Sequence, residues 1–353
     1  MRKIYLPTCA ALLLHSAIGA AADRVNMPGE PVPRVFEVGT RAGDPLDHLP
    51  PNVRLISSFG ERGVFSPDSG KIAFIGESFG DAFEYDIATG TVRNLTVNVP
   101  HRGFLRIHYL RDGSLILTGP HRPAETSSET RFKRSEIWWM DAEGSRPPSR
   151  LGPMLFEGVA VSPASNRIAW VESDPSGMPQ RDQSGTSTLK VGTVVVADGT
   201  AHLENVRELI RMPHSECILE AQDFFPDDSA VLTVCYSREH KGLAVPLDKG
   251  AITVYPLPAG LYGEIEGIFP DGRRTLVECG NDHGAGLDLC ILELQPDQPR
   301  YTRLTHVMDY GSYRFSNPQV SRDGRRIVFQ WALAGDEAGT GSGLLLMTLP
   351  EGF

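Results

Sequence analysis

The chain has 353 residues, of which 41% are apolar, 36 are glycine and 27 are proline. This length allows two ordinary domains, but all-β barrels and propellers reach it as one domain. The formal net charge of −10 disfavours nucleic acid and anionic membranes as partners, because binding to phosphate needs a basic surface.

The N-terminus has the pattern of a secretory signal peptide, which we assign to residues 1–22. Arg2 and Lys3 precede an apolar run from Leu6 to Ile18, and four small residues follow it. This run is shorter than the roughly 20 residues of a membrane span, and no later segment approaches that length. We expect a secreted or periplasmic, soluble monomer without a membrane span. Residues 23–50 are predicted as an extension packed across one face of the domain.

Four cysteines remain after the signal: Cys217, Cys235, Cys279 and Cys290. In an oxidising compartment they permit one or two disulfides, in three connectivities if all of them pair. The pairs 217–235 and 279–290 are favoured because each lies within one repeat. A metal site at the cysteines is disfavoured, because no CxxC spacing is present.

An internal repeat determines the predicted fold. A short apolar strand, a turn of the Ser-Pro-Asp or Pro-Asp-Gly kind and a second apolar strand recur six times, with turns at positions 66, 110, 162, 225, 269 and 321. The intervals are 44, 52, 63, 44 and 52 residues, and a period near 40 to 50 is typical of β-propeller blades. A third and a fourth strand follow the hairpins, as at AFEYDIA and VRNLT. We therefore predict an all-β, six-bladed β-propeller over residues 51–353.

The last repeat lacks a fourth strand, because the chain ends soon after LLLMTL. The segment Asn52–Phe59, NVRLISSF, precedes the first repeat and resembles the other outer strands. We predict that it completes the sixth blade and leaves no unpaired edge at the seam. The glycine-rich stretch 335–343 lies between two predicted strands without a following helix, so it is predicted as a loop and not as a phosphate cradle.

Alignment of the six turns places glutamates in columns. Five positions before each turn, at the start of the innermost strand, are Glu61, Leu105, Glu157, Glu220, Glu264 and Ser316. Glu266 follows Glu264 by two residues and should share its face. A second column, at the end of the second strand, holds Glu172, Cys235, Glu278 and Gln330, with Glu77 one place further on. Both columns are predicted to meet at one mouth of the central channel.

Such crowding raises some carboxyl pKa values, and a protonated carboxyl beside an ionised one is what acid–base hydrolysis requires. The predicted catalytic residues are Glu61, Glu157, Glu220, Glu264, Glu266 and Glu278. The predicted substrate-binding residues are Arg62, Arg106, Glu77, His121, Glu172, His283, Tyr310, Arg314, Asn317 and Gln330. The alternative is a solvated rim, with carboxylates paired to Arg62 and Arg106. No metal or other cofactor is expected, because the histidines are scattered over loops without HxH or HxxxH spacing.

The turns resemble TolB-type propeller repeats over most of the chain. Longer strings are similar to the secreted saponin hydrolases of fungi: FIGESFGDAFEYD, EGIFPDGRRTLVEC, and YTRLTHVMDYGSYRFSNPQVSRDGRRIVFQ with the following GDEAGTGSG. That family releases the sugar chain of triterpenoid glycosides at a glucuronosyl linkage. The resemblance therefore implies a hydrolase of a glucuronide-type or other plant glycoside, with a small-molecule substrate.

Two other functions stay open. A non-catalytic TolB-like binding or scaffold propeller would hold a peptide, but it has no reason to concentrate glutamates at one mouth. A uronide lyase would need a base and a metal ion or another neutralising cation, so sensitivity to chelators distinguishes it from a hydrolase.

Overall fold

The computed structural model describes residues 30–174, 184–282 and 286–353. In these ranges the chain forms six antiparallel sheets of four strands each, with α1 (Ser127–Lys133) and 3-10 helices at Pro45–His48 and Val307–Tyr310. The predicted six-bladed, all-β propeller is confirmed. The predicted signal peptide lies outside the described residues.

Within each blade, strands that follow one another in the chain are neighbours in the sheet. Blade one holds β2 (Glu61–Phe65), β3 (Lys71–Ile75), β4 (Ala82–Asp86) and β5 (Val92–Asn94). Blade two holds β6 (Arg106–Tyr109), β7 (Leu115–Pro120), β8 (Ser135–Met140) and β9 (Ser149–Met154). Blade three holds β10 (Val159–Val161), β11 (Arg167–Asp174), β12 (Thr186–Ala197) and β13 (Thr200–Pro213).

Blades four to six continue the same order. Blade four holds β14 (Ile218–Phe224), β15 (Ala230–Tyr236), β16 (Lys241–Pro246) and β17 (Thr253–Pro256). Blade five holds β18 (Tyr262–Ile268), β19 (Arg274–Gly280), β20 (Asp288–Glu293) and β21 (Tyr301–Arg303). Blade six holds β22 (Tyr313–Val320), β23 (Arg326–Leu333), β24 (Leu344–Thr348) and, from the start of the chain, β1 (Val53–Ser57).

The repeated turns close the first hairpin of a blade. In five blades the residue three places after the turn position donates its backbone N–H to the carbonyl at that position, as from Gly272 to Phe269 (2.8 Å) and from Gly324 to Ser321 (2.9 Å). These donors have positive φ, 67° at Gly272 and 69° at Gly324. Glycine adopts this conformation without steric cost, which explains the Asp-Gly pairs in the repeat.

Strand β1 closes the ring as predicted. It pairs antiparallel with β24, with Arg54 opposite Leu346 and Val53 opposite Met347. The outer edge of β24 is therefore covered by a strand from the other end of the chain. This arrangement removes the unpaired edge that an open ring would leave.

The core lies between neighbouring blades. Between blades five and six, for example, Phe269, Leu276 and Leu289 pack with Phe315 and Phe329, and all five are buried. Apolar residues on both faces of the inner strands are needed for this packing, since each sheet is sandwiched between two others. The inner strands of most adjacent blades therefore contact one another around the axis.

Two of the three longer intervals in the repeat, those between positions 110 and 162 and between 162 and 225, each have one structural cause. The connection between β7 and β8 contains α1, whereas β12 and β13 extend to 12 and 14 residues. The first of these is an insertion between two strands. The second lengthens strands of blade three instead, which the spacing alone did not indicate.

Both favoured disulfides are present: one joins β19 to β20, and the other joins the residue before β14 to β15. Cys217 pairs with Cys235 and Cys279 with Cys290, at Cα–Cα distances of 5.3 and 6.0 Å. Disulfides are typical of proteins outside the reducing cytoplasm. None of the helices in the described residues is long and apolar enough to span a bilayer.

The N-terminal segment before β1 follows blade five. Pro31 forms a β-bridge with Thr302 in the outermost strand. Phe36 is buried, and its backbone N–H and C=O both bond to the Asn281 side chain, at 2.7 and 2.8 Å. This segment is therefore fixed to the propeller by both packing and hydrogen bonds.

Candidate active site at the channel mouth

The columns of glutamates meet at one end of the channel, around a cavity of about 110 Å³. Glu61, Glu220 and Glu264 come from the innermost strands of blades one, four and five, and Glu157 lies two residues before the first residue of that strand in blade three. Glu278 projects from β19, opposite Glu264 in the register. These five line the cavity, and Glu266 is buried beside Glu264 and Glu278. The structure thus brings all six predicted catalytic glutamates together.

Irregular backbone accompanies the site in several blades. The pairing of the innermost strand with its neighbour shifts register at Glu61/Val64, Ala221/Asp223, Ile265/Ile268 and Ser316/Gln319. Arg62, Glu157 and Asn317 have φ of 53°, 61° and 48°, a region that residues other than glycine rarely adopt. Bulges of this kind redirect side chains, and strained residues cluster at functional sites.

Arg106 connects the carboxyls of blades three and four. Its Nη2 lies 3.1 Å from Glu220 Oε1 and 3.8 Å from Glu157 Oε2, and its Nη1 donates to Asn317 Oδ1 at 3.3 Å. Gly158 permits this approach, because a Cβ there would lie 3.1 Å from Glu220 Oε1 and 3.0 Å from the carbonyl oxygen of Ala221. Glu157 and Glu220 therefore share one guanidinium.

A second arginine reaches Glu157 from helix α1. Arg131 approaches Oε2 of Glu157 with Nε at 2.8 Å and Nη2 at 2.7 Å. The helix starts after Thr126, whose side chain accepts a hydrogen bond from the backbone N–H of Glu129, and this cap fixes the short helix. The insertion between β7 and β8 thus supplies a cation to the cavity.

The pKa values of the two carboxyls that Arg106 bridges are shifted in opposite directions. Burial disfavours the charge of Glu157, but Arg131 and Arg106 outweigh it and hold the pKa of this carboxyl below its ordinary range. Burial, and then the negative charge of Glu157, raise the pKa of Glu220 to about 8. At neutral pH one carboxyl is therefore ionised and its neighbour keeps a proton.

Two tyrosines hold Glu264. Tyr236 Oη lies 2.5 Å from Glu264 Oε1 and 2.9 Å from Glu220 Oε2, and Tyr262 donates its hydroxyl proton to Glu264 Oε2. Gln222 Nε2 is 3.4 Å from Glu264 Oε1. These contacts extend one hydrogen-bond network from blade four to blade five.

Glu264, Glu266 and Glu278 form an acidic cluster, in which one oxygen from each lies within 4.8 Å of the others. Burial and the charge of Glu264 raise the pKa of Glu278 to about 8, and burial and Glu278 raise the pKa of Glu266 well above its ordinary value. The backbone N–H of Asn317 donates to Glu278 Oε1 at 2.6 Å. These oxygens either share protons or can hold a cation.

Arg314 is the one arginine lining the cavity that has no carboxylate within ion-pair distance among the described residues. Its side chain is buried, with a relative exposure of 6%. Its Nη2 donates to the carbonyl oxygens of Leu333 (3.2 Å) and Asp336 (2.9 Å), and its Nε has no partner. By contrast, Arg62 pairs with Glu61.

The predicted substrate-binding residues separate into two groups. Those that line the cavity are Arg62, Arg106, Arg314, Asn317 and Gln330. Outside the cavity, Glu77 is exposed, Glu172 pairs with Lys190, Tyr310 stacks on His48 and His121 lies near Trp138. His283 is outside the described residues.

The residues that line the cavity but were not predicted as site residues include Arg131, Tyr236 and the loop 337–342. Thr126 and Glu129 carry the spacing of a capping box, which predicts a helix before Arg131. Tyr236 comes one place after the second column, as Glu77 does. The glycine-rich loop is a loop as predicted, and it closes one side of the cavity.

Comparison with known proteins supports the fold only. No protein-family model and no curated protein sequence matches the chain. An oligogalacturonate lyase from Vibrio parahaemolyticus is similar with a TM-score of 0.52 and 14% identity, covering 83% of this chain and 79% of that one. Regucalcin from Agrobacterium tumefaciens, a calcium-binding protein, is similar with a TM-score of 0.52 and 14% identity, covering 90% of this chain and 95% of that one.

TolB from Acinetobacter baumannii is similar with a TM-score of 0.46 and 15% identity, over 68% of this chain. The chain spans only 53% of the length of that TolB. The likenesses with TM-scores above 0.5 agree with the propeller that the strand topology defines.

Proposed function

We propose that the protein is a secreted glycoside hydrolase, acting on a glucuronide-type or other plant, saponin-like glycoside by carboxylate acid–base catalysis. The observation that carries the proposal is the pair Glu220 and Glu157, which share Arg106 while burial and charge drive their pKa values apart. Glycoside hydrolysis needs one protonated and one ionised carboxyl at the scissile bond.

In the proposed reaction Glu220 transfers its proton to the glycosidic oxygen as the bond to the anomeric carbon breaks. The Glu157 carboxylate either takes a proton from the attacking water or attacks the anomeric carbon itself, and the two routes give inverted or retained stereochemistry. In the second route water then cleaves the glycosyl ester, and Glu220 accepts the proton that this water releases. The retaining route returns both carboxyls to their starting protonation states. The inverting route leaves the proton on Glu157, and exchange with solvent after product release must return it to Glu220.

Arg314 supports a sugar that carries a carboxylate. A buried guanidinium without an anionic partner is costly, and a substrate carboxylate would satisfy it with paired, charge-assisted hydrogen bonds. With Glu220, Glu266 and Glu278 protonated, four arginines face four other carboxyls that line the cavity, and one of these, Glu337, is exposed to solvent. The lining of the cavity then carries no excess negative charge that would repel an anionic substrate.

The test is a panel of glycosides that contains saponins, aryl glucuronides and the matched aryl glucosides, with products identified by mass. Release of an intact sugar and an intact aglycone, with addition of one water, is the expected result. If no member of the panel is cleaved while the protein stays folded, the hydrolase proposal fails. The anomer formed first, read by nuclear magnetic resonance, distinguishes inversion from retention.

A uronide lyase is a second candidate because of the cluster Glu264, Glu266 and Glu278, whose oxygens are close enough to hold a divalent cation. Elimination would give an unsaturated uronate and no incorporated water. We expect the activity to survive exhaustive chelation. Loss of activity on chelation, with recovery on adding a divalent ion and an unsaturated product, would favour the lyase instead.

A further inference from the structure

A second cavity lies away from the carboxylates, between blades one and two. Its volume is about 640 Å³, larger than that of the central cavity. Its walls are the linker Pro100–Phe104, the end of β7 with His121 and Arg122, and the side chains of Trp138 and Pro148. We call it the blade-two groove.

The aromatic walls of the groove are fixed before any ligand binds. Trp138 donates its indole N–H to the carbonyl of Gly119 at 3.0 Å. His101 accepts from the backbone N–H of Gly103 through Nδ1 and lies 2.9 Å from Asp81 Oδ1 through Nε2, and its ring stacks on Phe104 with centroids 4.9 Å apart. Three proline rings add to the rigid apolar surface. Such a site loses little conformational entropy on binding.

Two arginines at the groove lack partners. Arg102 and Arg122 are exposed, and neither makes an ion pair or a side-chain hydrogen bond within the described part of the chain. Guanidinium groups bind carboxylates through paired hydrogen bonds. The groove therefore combines flat apolar walls with cations that are free for an anionic ligand.

This combination of flat apolar walls and arginines fits an acidic saccharide better than it fits nucleic acid. Sugar rings have apolar faces that pack on an indole ring, as apolar groups generally do on aromatic side chains. Nucleic acid is disfavoured, because two arginines on a protein with a net charge of −10 cannot offset a phosphate backbone. The same net charge repels any polyanion at long range, so binding must come from the local contacts.

We propose that the blade-two groove is a second binding site, separate from the central cavity, for an acidic saccharide that packs on Trp138 and pairs its carboxylates with Arg102 and Arg122. The insertion that carries His121 and Arg122 also carries Arg131 into the central cavity. The groove and the central cavity are therefore both lined by the connection between β7 and β8. The binding itself does not depend on the hydrolase proposal.

The test is affinity gel electrophoresis of the full protein in polygalacturonate, in neutral galactan and in polyglutamate. We expect retardation by polygalacturonate only, weakening as salt is raised. The double variant Arg102→Gln/Arg122→Gln should bind on the order of 10-fold to 100-fold more weakly, since two charge-assisted contacts are lost. The exposed pair Arg111→Gln/Arg300→Gln makes the same charge change elsewhere and should bind like the wild type.

Arg314→Gln separates the groove from the central cavity, with folding checked by circular dichroism. If retardation is lost in the Arg102/Arg122 variant but kept in Arg314→Gln, the polymer binds in the groove. The reverse pattern assigns it to the central cavity and overturns the proposal. Equal retardation by polyglutamate, or none by polygalacturonate, overturns it as well, whatever the hydrolytic panel gives.

Discussion

The hydroxyl of Tyr236 lies within hydrogen-bond distance of two carboxyls, Glu220 at 2.9 Å and Glu264 at 2.5 Å. A hydroxyl has a single proton to donate, so both contacts are hydrogen bonds only if one carboxyl is itself protonated. Glu220 fits that role, because burial and Glu157 raise its pKa to about 8. The chain of donors then runs from Glu220 through Tyr236 to Glu264, which agrees with Glu220 as the acid.

We predict that Glu220→Gln lowers kcat by on the order of 10²-fold or more on a glycoside with a poor leaving group, because the amide has no proton to transfer. The loss should be smaller on an aryl glycoside with a good leaving group, which needs less protonation. In the wild type kcat/KM should fall above about pH 8, as the acid loses its proton. The exposed Glu77→Gln is the control, and a Glu220→Gln enzyme within a few-fold of wild type would contradict the assignment.

Arg314→Gln should change selectivity rather than overall rate. We expect kcat/KM for an aryl glucuronide to fall by on the order of 10²-fold, whereas the matched glucoside changes by a few-fold at most, because only the glucuronide loses a charge-assisted contact. Arg314→Lys keeps the charge and should retain part of the preference. If both substrates lose activity together, Arg314 is structural and the carboxylate of the substrate binds elsewhere.

The positions of the glutamates could be read from the repeat, because residues at one offset from a turn occupy one level of the propeller. Arg131 could not be placed in this way, since it lies in an insertion outside every column. The lone cation Arg314 was one of three candidate arginines in the sequence. Only the contacts, which pair Arg62 with Glu61 and Arg106 with Glu220, distinguish it.

At the level of strands, the alternation of side chains does not fully predict which residues face the mouth of the channel. A regular pleat would place every second residue on one face, but the register shifts in four innermost strands interrupt it. Asn317 illustrates the effect: its φ of 48° turns the backbone N–H toward Glu278. Hydrophobic pattern and turn spacing carry no signal for a shift of one residue within a strand.

We predict that Asn317→Val destabilises the protein by about 1–3 kcal/mol, because a β-branched residue is strained at this φ. Asn317→Gly removes the same side-chain bond to Arg106 but adopts the conformation freely, so it should cost clearly less. Urea unfolding of both variants measures the difference. Equal destabilisation would show that the side-chain bond, and not the backbone conformation, is what stabilises the bulge.

For the whole molecule, the sequence predicted the number of blades and their closure. The turn residues recur because each hairpin needs the same backbone bond, and the last repeat lacked one strand that the segment before the first could supply. Lengths within blades were less predictable, since the β12–β13 hairpin of blade three extends without any added turn signal. What the repeat specifies is the packing between blades, which constrains the inner strands most.

The buried carboxyls also link the stability of the whole propeller to pH. Glu220 and Glu278 have pKa values raised to about 8 in the folded state, against about 4.5 in the unfolded chain. At any pH above about 4.5 the native state therefore binds more protons than the unfolded chain. The free energy of unfolding must then fall as pH rises, and it stops falling once pH exceeds the folded values. His108 acts in the opposite direction, because burial lowers its pKa to about 3, but only below its unfolded value near 6.5.

In the window from pH 6.5 to 8 the unfolded-state protonation of His108 fades as pH rises, and the raised carboxyls dominate the pH dependence. There we predict a fall in unfolding free energy on the order of 1 kcal/mol per pH unit for each raised carboxyl, measured by urea unfolding at intervals across the window. Glu278→Gln removes one of these groups and should make the slope shallower, whereas Glu77→Gln, exposed and outside the cavity, should leave it unchanged. A stability that is flat or rises with pH across this window would mean that the carboxyls around the channel are ionised in the native state, and Glu220 could not then be the proton donor.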